Sequence, residues 1–278
     1  MNLRRLASAV RHAPVLNRAN WLWNVVRPTY QRLLDPCRKG VAIKLGNTAK
    51  VRMPAEFTSC ANWESYEPAA IKRASEWLMD HPEGLLLDVG SAIGIYSLLA
   101  LCASSSTLAI AFDSDLSALK STERMCTHAG ADRLHLVHGF VSNLHQSGWT
   151  LGKAYESTLA QIAINHITGD PGTNRYICLQ GGAHPDEIPV HSLDALVVNE
   201  RRLILLKIDI EGAEFLALEG CNTLLSKCRP QLLLSVHPRA LSGYGHTVNE
   251  LRELLMSHGY VIELLSIDHE EHWWCTPA

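Results

Sequence analysis

The chain has 278 residues, 47% hydrophobic and 19% charged, with a formal net charge of −3. That length and apolar content allow one large α/β core with an N-terminal extension, and the near-neutral charge offers no general case for binding nucleic acid. No apolar run approaches the roughly 18 residues of a membrane-spanning helix.

Residues 1–40 carry Arg4, Arg5, Arg11, Arg18, Arg27, Arg32, Arg38 and Lys39 against Asp35 alone. Such a basic, Trp-bearing segment reads as a solvated arm packed loosely on its own domain or as a weak contact to an anionic membrane surface. It lacks the long hydrophobic stretch of an export signal, although its Arg-rich, acid-poor start is also similar to an organelle transit peptide. The eight cysteines are scattered, with no Cys-x-x-Cys pair. They read as reduced thiols in a cytoplasmic protein.

In chain order, Trp21, Trp23, Val25 and Val26 suggest a helix that Pro28 breaks, with Tyr30, Leu33 and Leu34 beyond it. Val41–Leu45 and Ala49–Met53 alternate with period two around Gly46-Asn47-Thr48, as a hairpin does. Residues 1–60 are expected to form an arm and cap, and residues 61–278 the main domain. Pro68 opens a helix with Ala70, Ile71, Ala74, Trp77 and Leu78 on one face. From there the order alternates as a doubly wound sheet requires: a strand at 85–89, a helix at 95–102, a strand at 107–112, a helix at 116–129 capped by Asp115, and a strand at 134–138. Residues 144–187 interrupt this rhythm as a polar insertion with a turn at Gly169-Asp170-Pro171-Gly172. Order resumes with a helical turn at 192–196, a strand at 203–208, helices at 215–220 and 223–227, a strand at 231–236 and a helix at 248–258. The closing strands, 260–264 and 272–275, are too close for a crossover helix and must pair antiparallel. The expected fold is α/β: a Rossmann-like, doubly wound, mostly parallel seven-stranded sheet with an antiparallel C-terminal hairpin.

In such a sheet, ligands sit beyond the carboxyl ends of the strands. Asp88, Gly90, Asp113, Ser142, Asn143, Asp209, Glu211 and His237 all fall there. Gly90 allows the backbone to approach a ligand, Gly94 allows the next helix to pack on the strand it left, and that helix begins with unpaired N–H groups. Asp113, about 20 residues past the turn, is placed to accept both hydroxyls of an adenosine ribose.

Three stretches, Asp88-Val89-Gly90-Ser91-Ala92-Ile93-Gly94, Ala111-Phe112-Asp113-Ser114-Asp115 and above all Leu206-Lys207-Ile208-Asp209-Ile210-Glu211-Gly212-Ala213-Glu214, resemble the FkbM-type S-adenosylmethionine-dependent methyltransferases. The resemblance implies S-adenosylmethionine as cofactor. Asp88, Gly90, Ser91, Ala92 and Gly94 would surround its methionine part, Asp113 would take its ribose beside Ser114, and Ser142 and Asn143 would lie near its adenine. Ala92 stands where the family usually has Asn, Asp113 where it has Glu, and Ser235 where it often has Glu.

The expected reaction is O-methylation of a sugar, glycan precursor or secondary metabolite, with no nucleic-acid partner. Asp209 and Glu211 would orient cofactor and acceptor, with His237 as base or hydrogen-bond partner. No metal is assigned, although Asp209, Glu211 and His237 are ligand types that suit Mg²⁺ or Mn²⁺. His269-Glu270-Glu271-His272 reads as a charged hairpin tip backed by Trp273 and Trp274, because its ligands lie in a turn and not on a His-Glu-x-x-His helix. The alternatives are an NAD-linked oxidoreductase, disfavoured by the missing middle glycine of Gly-x-Gly-x-x-Gly, and a non-catalytic module docking at a membrane surface.

Overall fold

The computed structural model describes residues 20–143, 188–196, 200–268 and 270–278. The first part of the basic arm, the whole expected insertion 144–187 and His269 lie outside these residues. Among the described residues no helix is long and apolar enough to cross a membrane.

Helix α1 (Asn20–Leu34) runs through Pro28, where the sequence predicts a break. A proline inside a helix removes one i to i−4 hydrogen bond, which bends the helix without necessarily ending it. Packing supplies the compensation: Tyr30 is buried, and its hydroxyl lies 3.1 Å from that of Thr58. The hairpin β1 (Val41–Leu45) and β2 (Ala49–Met53) has the expected register. Its inward residues Ile43, Leu45, Val51 and Met53 share one core with Ile71, Ala74 and Leu98. The hairpin therefore joins the core of the main body across the expected boundary at residue 60.

The remaining strands are β3 (Leu85–Val89), β4 (Leu108–Asp113), β5 (Leu134–His138), β6 (Phe140–Val141), β7 (Val190–His191), β8 (Ile204–Ile208), β9 (Gln231–Val236), β10 (Tyr260–Ile267) and β11 (Glu271–Pro277). Seven of them form one sheet in the order β5-β4-β3-β8-β9-β11-β10, parallel except where β11 pairs antiparallel with both β9 and β10. This is the Rossmann-like sheet with its C-terminal hairpin. β6 and β7 form a separate parallel ladder, which brackets residues 144–187.

Every residue of β3, β8 and β9 is buried, as in strands covered on both faces. Helices α2 (Pro68–Asp80), α3 (Ile95–Ala103) and α4 (Leu116–Met125) pack on one face. Helices α5 (Leu193–Leu196), α6 (Glu214–Glu219), α7 (Pro238–Leu241) and α8 (Val248–Ser257) pack on the other. Asp115 caps α4 as expected, its carboxylate accepting from the Ser117 N–H at 2.7 Å.

The period of two along each strand decides what reaches the site. Leu86, Leu205, Leu233 and Trp274 belong to the core beneath α2 and α3. Asp88, Lys207, Ser235 and His272, each two residues nearer the carboxyl edge of the parallel strands, share that face. Ser235 and His272 stand directly opposite each other across β9 and β11. The apolar face thus turns polar along one edge.

Candidate active site

Gly90 follows β3 with φ +81°, and a β-carbon there would collide with the carbonyl oxygen of Asp209. The tips of β3 and β8 consequently meet backbone to backbone. The N–H groups of Gly90 and Ser91 both donate to the Phe112 carbonyl, at 2.9 and 3.0 Å, tying the turn to β4. Gly94 also has positive φ, and a β-carbon on it would come within 2.6 Å of the Thr122 side chain. Asp113 ends β4 and accepts from the N–H groups of Ala92 and Asp115, each at 2.9 Å. A cleft opens at these tips, with Gly90, Asp113, Ser114 and Asp209 in its wall beside the apolar surfaces of Phe112, Phe140, Ile210 and Tyr244.

The other expected cofactor residues, Asp88, Ser91, Ala92, Gly94, Ser142 and Asn143, are not in the wall of this cleft. Asp88 is 2% exposed, and its Oδ2 accepts from the Ser97 N–H at 3.1 Å and the Ser97 hydroxyl at 2.6 Å. It anchors the first turn of α3 from within the core. Burial pushes its pKa up to about 6, against the opposing pull of Ser97 and Lys207. The Ser91 hydroxyl lies 3.2 Å from that of Thr122. Ser142 and Asn143 follow the short β6, and the Asn143 amide donates to Glu219 at 2.6 Å.

Lys207, 1% exposed, lies within β8 and donates to Asp209 Oδ2 at 3.0 Å and to Ser235 Oγ at 2.6 Å. Its ammonium also lies 5.1 Å from the Tyr96 ring, a cation–π distance. The Tyr96 hydroxyl in turn donates to Glu67 at 2.6 Å. Burial acts to lower the Lys207 pKa, but the carboxylates of Asp209, Glu67 and Glu270 outweigh it and the pKa rises. For Asp209 burial acts to raise the pKa, and Lys207 and His237 outweigh it, holding the carboxyl below its ordinary range. The strand sequence Ile-Leu-Leu-Lys-Ile contains the signal for Lys207: a lysine inside a fully buried strand must have an anionic partner.

His237 follows β9. Its Nδ1 is 2.9 Å from Glu214 Oε1 and its Nε2 is 2.6 Å from Glu270 Oε2, with Asp209 and Glu211 at 3.7 and 3.6 Å. With a carboxylate oxygen on each ring nitrogen, both nitrogens act as donors. Burial acts to lower its pKa, but Glu214 and Glu270 push it up to about 10. Of the two roles expected for His237, this geometry favours the hydrogen-bond partner over the base. Glu211 sits in a left-handed turn, φ +55°, with its side chain half-exposed beside the cluster.

Glu270 and His272 correct the expectation of a charged hairpin tip, since they are 4% and 0% exposed. The hairpin folds its start under the sheet edge, so Glu270 reaches His237 and His272 Nε2 lies 3.4 Å from Glu270 Oε1. Counting back two residues from the core residue Trp274 finds His272, because alternate strand residues share a face. Glu270 has no such signal, since only the path of the turn brings it inward. The four carboxylates around His237 therefore include Glu270, which sequence reasoning omitted.

The family model of the methyltransferase FkbM domain matches residues 88–262. The chain belongs to the FkbM methyltransferase family. Among solved structures it is similar to the methyltransferase FkbM from Methylobacillus flagellatus KT, at 14% identity and a TM-score of 0.46, over 80% of this chain and 52% of that one. It is also similar to an O-methyltransferase from Bacillus cereus in complex with SAH, at 11% identity and a TM-score of 0.43, over 77% and 82% of the two chains. A third similarity is to a precorrin-6y C5,15-methyltransferase from Geobacter metallireducens GS-15, at 11% identity and a TM-score of 0.42, over 78% and 89%. The chain spans about half the length of the M. flagellatus protein. No curated protein matches it.

The matched segment of this FkbM-family chain begins at Asp88 and runs into β10, so it includes the glycine turn, Asp113, Lys207, Asp209 and His237. Glu67 lies before it and Glu270 and His272 after it. The acidic cluster is thus built partly from residues outside the matched domain.

Proposed function

We infer that this FkbM-family protein is an S-adenosylmethionine-dependent O-methyltransferase acting on a hydroxyl of a sugar, glycan precursor or secondary metabolite. The observation that carries this reading is the meeting of Gly90, Asp113 and Asp209 in one cleft. The residues suit the cofactor. The bare backbone at Gly90 admits close approach, and the partly exposed Phe140 in the same wall offers apolar surface for an adenine. Asp113 lies in the wall of the cleft, and its carboxylate is an acceptor of the kind that ribose hydroxyls donate to. Bound there, S-adenosylmethionine supplies a methyl group already activated on a sulfonium.

The chain's own task is to position the acceptor and take up its proton. Asp209 faces the cleft from the tip of β8, fixed by Lys207, and Glu211 lies 3.6 Å from His237, the neighbour of Asp209. We assign both carboxylates to orienting the acceptor hydroxyl, and Glu211 to receiving the proton it loses. His237 holds Glu270 and Glu214 in place as a donor. The formal charge of −3 argues against nucleic acid as the acceptor. The basic excess in residues 1–40 is read as a weak membrane contact, which liposome flotation with and without that segment tests.

Calorimetry with S-adenosylmethionine, S-adenosylhomocysteine and NAD tests the cofactor. Heat from the first two and none from NAD is expected, and the opposite pattern supports the oxidoreductase instead. Mass spectrometry of a methylated acceptor then decides between oxygen and nitrogen.

A further inference from the structure

We propose that Glu67, Glu270 and His272 form a binding site for a first-row divalent cation of the Mn²⁺ or Zn²⁺ type. The three side chains come from separate parts of the chain: Glu67 just before α2, Glu270 in the turn between β10 and β11, and His272 in β11. One ligand atom from each lies within 4.8 Å of the others, and all three residues are buried. Ligands bound at about 2.0–2.2 Å to one ion stand roughly 3–4 Å apart, so closing this group needs side-chain movements of up to about an ångström.

A cluster of acids alone does not make a metal site, but His272 adds a second observation. It is wholly buried, and its Nε2 makes no hydrogen bond, while carboxylate oxygens of Glu270 and Asp268 stand 3.4 and 3.5 Å away. An imidazole nitrogen placed so is costly unless a ligand completes it.

Each of the three is also held from behind. Tyr96 donates to Glu67 Oε2, His237 lies 2.6 Å from Glu270 Oε2, and the Ser235 hydroxyl lies 3.3 Å from His272 Nδ1. Outer partners of this kind orient metal ligands, and the Ser235 hydroxyl can accept from Nδ1–H, the tautomer that leaves the lone pair on Nε2 for an ion. Two carboxylates and one imidazole suit Mn²⁺ or Zn²⁺ better than Mg²⁺ or Ca²⁺, which prefer oxygen alone. The set differs from the Asp209, Glu211 and His237 ligands that the sequence suggests, and shares no residue with it. Any use of the ion in catalysis, by lowering the pKa of an acceptor hydroxyl, rests on the methyl-transfer reading. Binding of the ion does not.

The test uses the full chain, stripped with a chelator and free of cofactor. Titration with Mn²⁺, followed by loss of the free-ion electron paramagnetic resonance signal, is expected to show one bound equivalent that Zn²⁺ displaces. His272→Ala and Glu67→Gln are each expected to weaken binding at least tenfold, while Glu253→Gln on the exposed side of α8 binds as the parent does. Failure of the unaltered chain to bind Mn²⁺ or Zn²⁺ overturns the proposal, whether or not the variants fold. Binding that survives Glu67→Gln and His272→Ala but is lost in Asp209→Asn also overturns it, in favour of the neighbouring Asp209–His237–Glu270 group. Calorimetry with S-adenosylmethionine on the same stripped protein separates failure of the ion site from failure of the cofactor reading.

Discussion

The carbonyl oxygen of Asp209 occupies the space that a side chain on Gly90 would need. Two consequences meet at this contact: the Gly90 backbone takes positive φ, and the tips of β3 and β8 approach closely enough to form one wall of the cleft. Gly90→Ala therefore combines left-handed strain with a backbone collision, and is expected to destabilise the fold by about 3 kcal/mol or more. Urea denaturation measures the loss. A variant as stable as the parent shows that the two tips are not in contact.

Ala92 presents the opposite case. It takes φ +50° without the side chain that would make such a backbone easy. Ala92→Asn, the residue usual in the family that this turn resembles, is expected to gain about 0.5–1 kcal/mol, because Asn tolerates the left-handed region better than Ala. Thermal melting in the absence of ligand reports it.

Asp113 joins two backbone N–H groups and faces the cleft. Asp113→Asn lacks the charge and one acceptor oxygen, and is expected to weaken S-adenosylmethionine binding by about 1.5–3 kcal/mol, roughly tenfold to a hundredfold. Unchanged affinity in calorimetry removes Asp113 from the ribose assignment.

Lys207 is the buried cation to which Asp209 is bound. Lys207→Met leaves that carboxylate without its partner, and breaking a buried pair from one side costs about 3–5 kcal/mol. Adding Asp209→Asn is expected to restore part of that loss, since the two effects are coupled. A denaturation cycle on the parent, both single variants and the double variant measures the coupling. Strict additivity contradicts the contact.

Asp88 makes stability depend on pH. Its folded-state pKa, about 6, lies above the ordinary 3.8, so the fold favours the protonated form. That contribution is complete below pH ~4 and is lost as pH rises through about 6. Asp88→Asn keeps an oxygen for both Ser97 bonds and does not ionise. The stability of the parent relative to this variant should fall between pH 4 and 7 and then level off. A difference that rises with pH in that window refutes the shift.

Much of the architecture was legible in residue order. The mostly apolar runs at β3, β4, β8 and β9 are short and end at glycine, aspartate or His237-Pro238, a pattern that buried parallel strands produce through local sterics and two-sided burial. The same patterns place Gly90, Asp113, Asp209 and His237 at strand ends, because a strand's last residues are marked along the chain. Pro28 misled because a helix boundary depends on packing as well as on hydrogen bonds within the segment, and Tyr30 packs into the body.

By itself, then, the sequence determined the family, the strand order's alternation and the tips that meet at the cleft, all of which follow from short-range periodicity and turn chemistry. Only the tertiary structure decided that Lys207 neutralises Asp209, that His237 lies between Glu214 and Glu270, and that Glu67 meets Glu270 and His272 across about 200 residues of chain. Such groups are paired by burial and charge after the sheet has closed. Nothing in their local spacing specifies their partners.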